Sequence, residues 1–283
     1  DRILIGGEDK EAIEILTEIY SKWVPKDKIL CTNLWSSELS KLMANAFLAQ
    51  RISSINTVSA ICESTGANIK EVSKAIGMDS RIGNEFLNAG PGFGGSCFKK
   101  DILNIVYLTR YYGLDEVGDF WESVIKINSW QRNRIYKIIV EKLYGNLANK
   151  KIAILGFAFK ANTNDTRESP AINICNDLLK EGAFLSIHDP KVEPNVILRD
   201  LNVNDKDYAL QKKVSIECEI NVAVSNADAI LILTDWDEYR NLDLQFLSNK
   251  MRKPAWLFDT RSVINKNLIK KTDLKFWQIG LGN

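Results

Sequence analysis

The sequence predicts an α/β protein in which a helical module precedes a doubly wound, parallel-sheet domain, and three observations carry that prediction. From about residue 149 onward, short apolar runs of strand character alternate with helical segments, the pattern of a parallel sheet with right-handed crossovers. Between about residues 34 and 148, apolar residues recur at helical spacing. The first 33 residues read strand, helix, strand, the tail of another α/β unit.

Taken in order, RILIGG is a strand, a helix follows from about Lys10 to Trp23, and KILCTN is a second short strand. A long helix is expected from Ser36, SSELSKLMANAFLAQRISSINTVSAICEST, rich in Leu, Ala, Ile and Val and stopped by Gly66. Helices continue through NIKEVSKAIGM, through KKDILNIVYLTRYYG and from about Val117 to Leu143. In the last part, KKIAILGFAF is a β-rich run with a glycine turn, SPAINICNDLLKEG a helix closed by Gly182, and AFLSIHDP a strand. ADAILILTDW and AWLFDTR are two more strands, while NVNDKDYALQKK, Asn202 to Lys213, reads as a polar loop. The expected divisions are therefore 1–33, 34–148 and 149–283, with subunit contact on the long helical middle. A start without methionine, one residue before a strand core, predicts a fragment or a processed product.

Composition narrows the function classes. Thirty-seven basic and 36 acidic side chains leave a net charge of +1, so no bulk attraction to nucleic acid or a membrane surface is expected, and an anionic ligand must be met locally. The 45% hydrophobic and 26% charged content is that of a globular chain. No stretch has the length of a membrane span or the layout of a secretory leader, which predicts a cytoplasmic protein. Five cysteines without a CxxC pair, and the single histidine His188, argue against a disulfide framework or a metal site. Cys31, Cys62 and Cys175 lie in apolar or amphipathic runs and are expected to be buried. Cys97 stands apart.

The stretch AGPGFGGSCFKKD places Gly90, Gly92, Gly94 and Gly95 just ahead of Cys97. Such clustering signals unusual backbone angles or a closely approaching ligand, with a plain surface loop as the other reading. Cys97 begins an expected helix beside Lys99 and Lys100, where dipole and cations favour the thiolate, and Asp101 lies one turn on; a structural thiol is the alternative. Lys41 and Asn45 share a helix face at i, i+4. They form either a solvent-facing pair or a lysine that stabilises an oxyanion beside an amide that holds water. After the first strand of the last domain the turn is Gly156-Phe157-Ala158-Phe159-Lys160, without a GxGxxG fingerprint. One reading has a phosphate on these amides and Asp189 on a ribose hydroxyl; the other has an ordinary turn and a solvated lysine.

Together, SSELSKLMANAFLAQRISSIN, GPGFGGSCFKKD, GFAFKANTNDTRESP and FDTR closely resemble the UDP-glucose 6-dehydrogenases, particularly the animal type, over nearly the whole chain. The resemblance implies an oxidoreductase that converts UDP-glucose to UDP-glucuronate with two NAD+. It implies a remnant of an NAD-binding domain, a helical dimerisation domain and a Rossmann-like UDP-binding domain. Cys97 is then the nucleophile, carrying a thiohemiacetal and a thioester. Lys41 stabilises the C6 oxygen, while Asn45 and Asp101 position or activate water. Asn88, Ala89, Gly90, Pro91, Gly92, Phe93 and Gly94 wrap the substrate with backbone amides, so that side chains at the glycines would block it. Arg81 reaches substrate across a homodimer, and Phe159, Lys160 and Arg261 contact the nucleotide sugar. Cys97, Phe98, Lys99, Lys100 and Arg167 meet NAD. No metal is implied.

The chain departs from that family in lacking its glycine fingerprint for NAD and its catalytic glutamate, so by this reading it does not turn over alone. Two rivals stand beside the enzyme: a relative acting on GDP-mannose or a UDP-N-acetylhexosamine, and a dimerising UDP-sugar-binding module.

Overall fold

The computed structural model describes residues 2–204 and 207–282. The chain divides into two compact units, Asp1–Leu48 with Lys100–Glu122, and Ala49–Lys99 with Ser123–Asn283. In the first unit, strand β1 (Ile3–Gly6), helix α1 (Lys10–Ser21) and strand β2 (Ile29–Thr32) form one crossover, β1 and β2 pairing in parallel. Asp9 starts α1 by accepting the N–H groups of Glu11 and Ala12 at 2.9 and 3.3 Å. Helices α2 (Leu34–Thr65), α4 (Phe98–Tyr111) and α5 (Asp115–Lys142) contribute residues to both units, whereas α3 (Ile69–Gly77) belongs to the second.

Ile5, Ala46, Ile102, Ile105, Val106 and Trp121 are the buried apolar side chains of the first unit among the described residues. Every residue of α1 is exposed or half-buried. Cys31 was expected inside and is exposed, with Thr17 Oγ1 at 3.4 Å from its sulfur. The reason is local: among the described residues β2 pairs only with β1, and a two-stranded sheet leaves a face uncovered.

The second unit holds a sheet built from β3 (Lys151–Leu155), α6 (Pro170–Lys180), β4 (Phe184–His188), α7 (Pro194–Asp200), α8 (Tyr208–Gln211), β5 (Val214–Ile216), α9 (Ile220–Val224) and β6 (Ala229–Ile232), completed by α10 (Leu244–Lys250), β7 (Trp256–Asp259), α11 (Lys266–Ile269) and β8 (Lys275–Gln278). Its strands lie in the order β5-β4-β3-β6-β7-β8, all parallel, and the winding reverses between β3 and β6. Ile152 to Leu155 and Ala229 to Ile232 have no measurable exposure, which is why these runs carry no polar alternation. Each such Ile or Leu contributes about 1.5–3 kcal/mol.

The expected strands all appear, and β5 and β8 are additional. They are the two edges of the sheet, where a half-exposed strand lacks the continuous apolar run that marks its neighbours. The polar tract Asn202 to Lys213 contains the short helix α8, and its Asp205 and Lys206 lie outside the described residues. Among the described residues, no helix is long and apolar enough to cross a membrane.

Candidate functional site

Where the winding of a parallel sheet reverses, the loops at the carboxyl ends of the two flanking strands part and leave a crevice. Here those loops follow β3, β6 and β7 and carry Phe159, Asp235 and Arg261. A cleft of about 580 Å³ is lined by Asp235, Arg261 and Ser262, by Lys70 and Lys74 of α3, and by Asn88, Ala89 and Arg240. That is the size of a small-molecule site, with four cations against one carboxylate. Arg261 donates from Nε to Leu233 O at 2.7 Å and from a terminal nitrogen to Phe159 O at 3.2 Å, which fixes its plane. Burial lowers its pKa, and the charges of Asp235 and Asp259 oppose that shift. Lys160 is exposed, its ammonium 5.5 Å from the Phe159 ring centre.

The glycine-rich segment is buried rather than a surface loop: Ala89 through Gly95 are all inside. Gly90 gives its N–H to Asn56 Oδ1 at 2.8 Å, and its carbonyl accepts from Gln131 Nε2 at 2.9 Å. Phe93 gives its N–H to Asn128 Oδ1 at 2.8 Å, and its carbonyl accepts from Asn128 Nδ2 at 3.1 Å and from Arg132 at 2.8 Å. At two positions the protein itself gives the glycines a reason. A Cβ on Gly92, at φ +119°, would lie 2.7 Å from Asn128 Oδ1, and one on Gly94 would lie 2.6 Å from Glu168 O. The close neighbours at these two positions are the protein's own atoms. Gly90 faces the cleft side, where a Cβ would meet Arg261 at 3.2 Å.

The turn after β3 is also resolved in favour of architecture. Asp189 Oδ2 accepts the N–H groups of Phe157 and Ala158 at 2.7 and 3.0 Å and the Trp236 indole at 3.2 Å. Its Oδ1 accepts from the backbone of Lys191 and Val192 at 2.9 and 3.0 Å. The amides proposed for a phosphate and the carboxylate proposed for a ribose therefore satisfy one another. Gly156 makes this turn possible with φ +94°, its Cα against Thr234.

Within the second unit, Cys97 is exposed directly before the first residue of α4, its sulfur 3.7 Å from Ser96 Oγ. Arg167 is held by the Asp165 carboxylate, Nε to Oδ1 at 2.9 Å and a terminal nitrogen to Oδ2 at 2.7 Å. That hydrogen bond and charge raise the Arg167 pKa, and the Cys97 thiol adds a smaller effect in the same direction. Lys99 is engaged by both oxygens of Glu168 at 3.0 Å, and the half-buried Phe98 ring packs edge-on against Phe93 at 5.7 Å; Lys100, which belongs to the first unit, is exposed. Pro91 is buried with the segment. Arg81 is highly exposed and paired with Asp79, on a turn whose carbonyls at Ile82, Gly83 and Glu85 accept from Arg51 at 2.8 Å.

Within the first unit, Lys41 and Asn45 do share one face of α2, and both donate to Asp101 Oδ2, at 2.7 and 2.6 Å. The Asp101 side chain is 5% exposed while Lys41 is 61% exposed, so the pair presents an ammonium outward over a buried carboxylate. Burial pushes the Asp101 pKa up; hydrogen bonds from Lys41 and Asn45, with the charges of Lys41 and Lys100, pull it down further. The net position is below the usual carboxylate value. Cys62 and Cys175 are buried, and burial raises both thiol pKa values.

Sequence reasoning missed Asn56, Gln131, Asn128, Arg132 and Asp165. The available signal was an amide in the apolar run of α2 and three polar residues at positions 128, 131 and 132 of one helix face. Among the described residues, no three His, Cys, Asp or Glu side chains are grouped as a metal site.

Comparison with known proteins gives these geometries a lineage. The central-domain model of the UDP-glucose/GDP-mannose dehydrogenase family matches residues 35–130, and its UDP-binding-domain model matches residues 153–266. UDP-glucose 6-dehydrogenase 4 of Arabidopsis thaliana and UDP-glucose 6-dehydrogenase 1 of Glycine max are each 50% identical to the chain over 295 aligned residues, covering 99% of it and 62% of the relative. A UDP-glucose dehydrogenase structure from Pyrobaculum islandicum, 28% identical, superposes with a TM-score of 0.83 over 100% of this chain and 59% of that one. The chain thus spans about three fifths of the length of these relatives. The two family models fall in order on the helical tract and on the six-stranded sheet, and the chain belongs to the UDP-glucose/GDP-mannose dehydrogenase family.

Proposed function

We propose that the chain is the central and UDP-binding part of an NAD-dependent dehydrogenase that oxidises UDP-glucose to UDP-glucuronate. The observation that supports this best is the cationic cleft at the sheet's reversal, within the unit that carries the matched UDP-binding domain. Arg261, with Phe159, Lys160 and the Asn88–Gly94 segment, holds the nucleotide sugar, and Arg81 contributes from a second copy of the chain. Guanidinium groups suit a diphosphate because their fork meets two oxygens at once.

In this reading the C6 hydroxyl loses a proton and C6 loses a hydride, giving an aldehyde. The Cys97 thiolate adds to that carbon, and Lys41 stabilises the oxygen that becomes negative. Loss of a second hydride leaves a thioester on Cys97. Water, held by Asn45 and Asp101, cleaves it to the carboxylate and returns the thiol. NAD+, when bound, supplies the hydride acceptor. Arg167 and Lys99 of the second unit, each paired with a carboxylate, are the cations the reading gives to its pyrophosphate, with Lys100 next in sequence, whereas the β3 turn does not fit it, since Asp189 occupies its amides. The reading includes the three-part division 1–33, 34–148 and 149–283, a homodimer through the helical middle, and a cytoplasmic setting. The gap between the two matched segments supports the second boundary, and five unpaired cysteines support a reducing compartment.

Titration calorimetry of the chain tests it: UDP-glucose is expected to bind at least tenfold tighter than GDP-mannose. Absence of binding, or the reverse preference, overturns the reading. Cys97→Ser in the whole enzyme is expected to keep UDP-glucose affinity within about tenfold, about 1.4 kcal/mol, and to yield no UDP-glucuronate by mass spectrometry.

A further inference from the structure

We propose that Asn56, Asn128 and Gln131 are positioning residues that hold the Ala89–Gly95 segment in its ligand-ready form before any ligand arrives. The inference rests on the nucleotide-sugar reading in one respect, that Ala89 and the Arg261 that abuts Gly90 face the ligand.

A flexible glycine-rich segment loses chain entropy whenever it is ordered, and the question is whether that happens on folding or on binding. Here two residues are gripped at both their N–H and their carbonyl by side chains that are themselves 0–3% exposed. Asn56 and Gln131 take the N–H and carbonyl of Gly90, and Asn128 takes both groups of Phe93. The Gln131 amide cannot turn, because its Oε1 accepts from Arg134 at 3.1 Å, and Arg134 is braced by Glu63 at 2.8 Å. Glu63 in turn accepts the Gly280 N–H at 2.8 Å, so the bracket is anchored beyond β8. Packing alone does not account for the choice of residues. Asn56 Nδ2 and Arg132 Nε are buried here without a partner among the described residues, a cost that an apolar helix face would not carry.

Hydrogen exchange on the chain, read in peptides covering residues 87–96, decides the matter without ligand. The wild-type segment is expected to be protected. Gln131→Met, of similar shape and without the donor, is expected to raise its exchange at least tenfold while β3 and β6 keep theirs. Asn128→Leu serves as a second variant should the first not fold. Unchanged exchange in a folded variant overturns the proposal, as does a wild-type segment that becomes protected only with UDP-glucose. The accompanying calorimetry separates positioning from structure: Gln131→Met is expected to weaken UDP-glucose at least tenfold with its melting temperature kept within a few degrees. Unaltered affinity in a loosened segment removes the positioning role. Failure of the wild type to bind UDP-glucose overturns the functional reading and leaves the exchange result to stand by itself.

Discussion

Asp101 and Asp189 are both carboxylates held by several donors, and the donors differ in kind. Asp189 takes four backbone N–H groups and one indole, donors that cannot leave without unfolding a turn. Asp101 takes one ammonium and one side-chain amide on the same oxygen, donors on rotatable stems. The lesson is that a carboxylate's partners, more than its burial, set how firmly it is held: backbone donors lock it, while side-chain donors on rotatable stems can let it go.

The largest effect is expected at Asp189. Asp189→Ala orphans the Phe157 and Ala158 amides and the Trp236 indole at the end of β3, and should cost about 3–5 kcal/mol, seen as a lower urea midpoint. A loss below about 1 kcal/mol would break the distinction from Asp101.

Asp101→Asn should cost about 1–2 kcal/mol of stability at neutral pH, because it removes the acceptor charge from two hydrogen bonds. The sign with pH follows from its depressed pKa. The contribution is complete above the unfolded carboxylate value, about 4, and disappears as the pH falls through the lower folded value. Urea midpoints between pH 7 and pH 2.5 should therefore fall more steeply for the wild type than for the variant. Parallel slopes would assign the acid sensitivity elsewhere.

A third carboxylate sets the floor. Glu168 meets Lys99 with side chains 39% and 44% exposed, so Glu168→Gln should change stability by about 0–1 kcal/mol. A larger change would show that the exposed pair is more than a solvent contact.

The contrast also explains what the sequence disclosed. The central strands were legible because parallel strands buried on both faces must be apolar throughout, as at Ile152–Leu155. The edges β5 and β8 were not, because exposure on one side erases that signature. The Lys41–Asn45 face was legible from i, i+4 spacing, and its target, sixty residues along the chain from Lys41, was legible only as a nearby acid to Cys97. Asp189 carried two readings because a strand-end acid looks the same in sequence whether it holds a ribose or its own turn, and the ordinary turn is the one the structure shows. The grip on Gly90 and Phe93 was invisible because it comes from helices 34 to 41 residues away in the chain.

The Asp189 turn has one more consequence. An oxyanion tethered to the chain competes for its amides at an effective concentration far above that of any dissolved phosphate. The turn is thus saturated by an internal ligand, and these two amides are left with nothing to offer a dissolved phosphate.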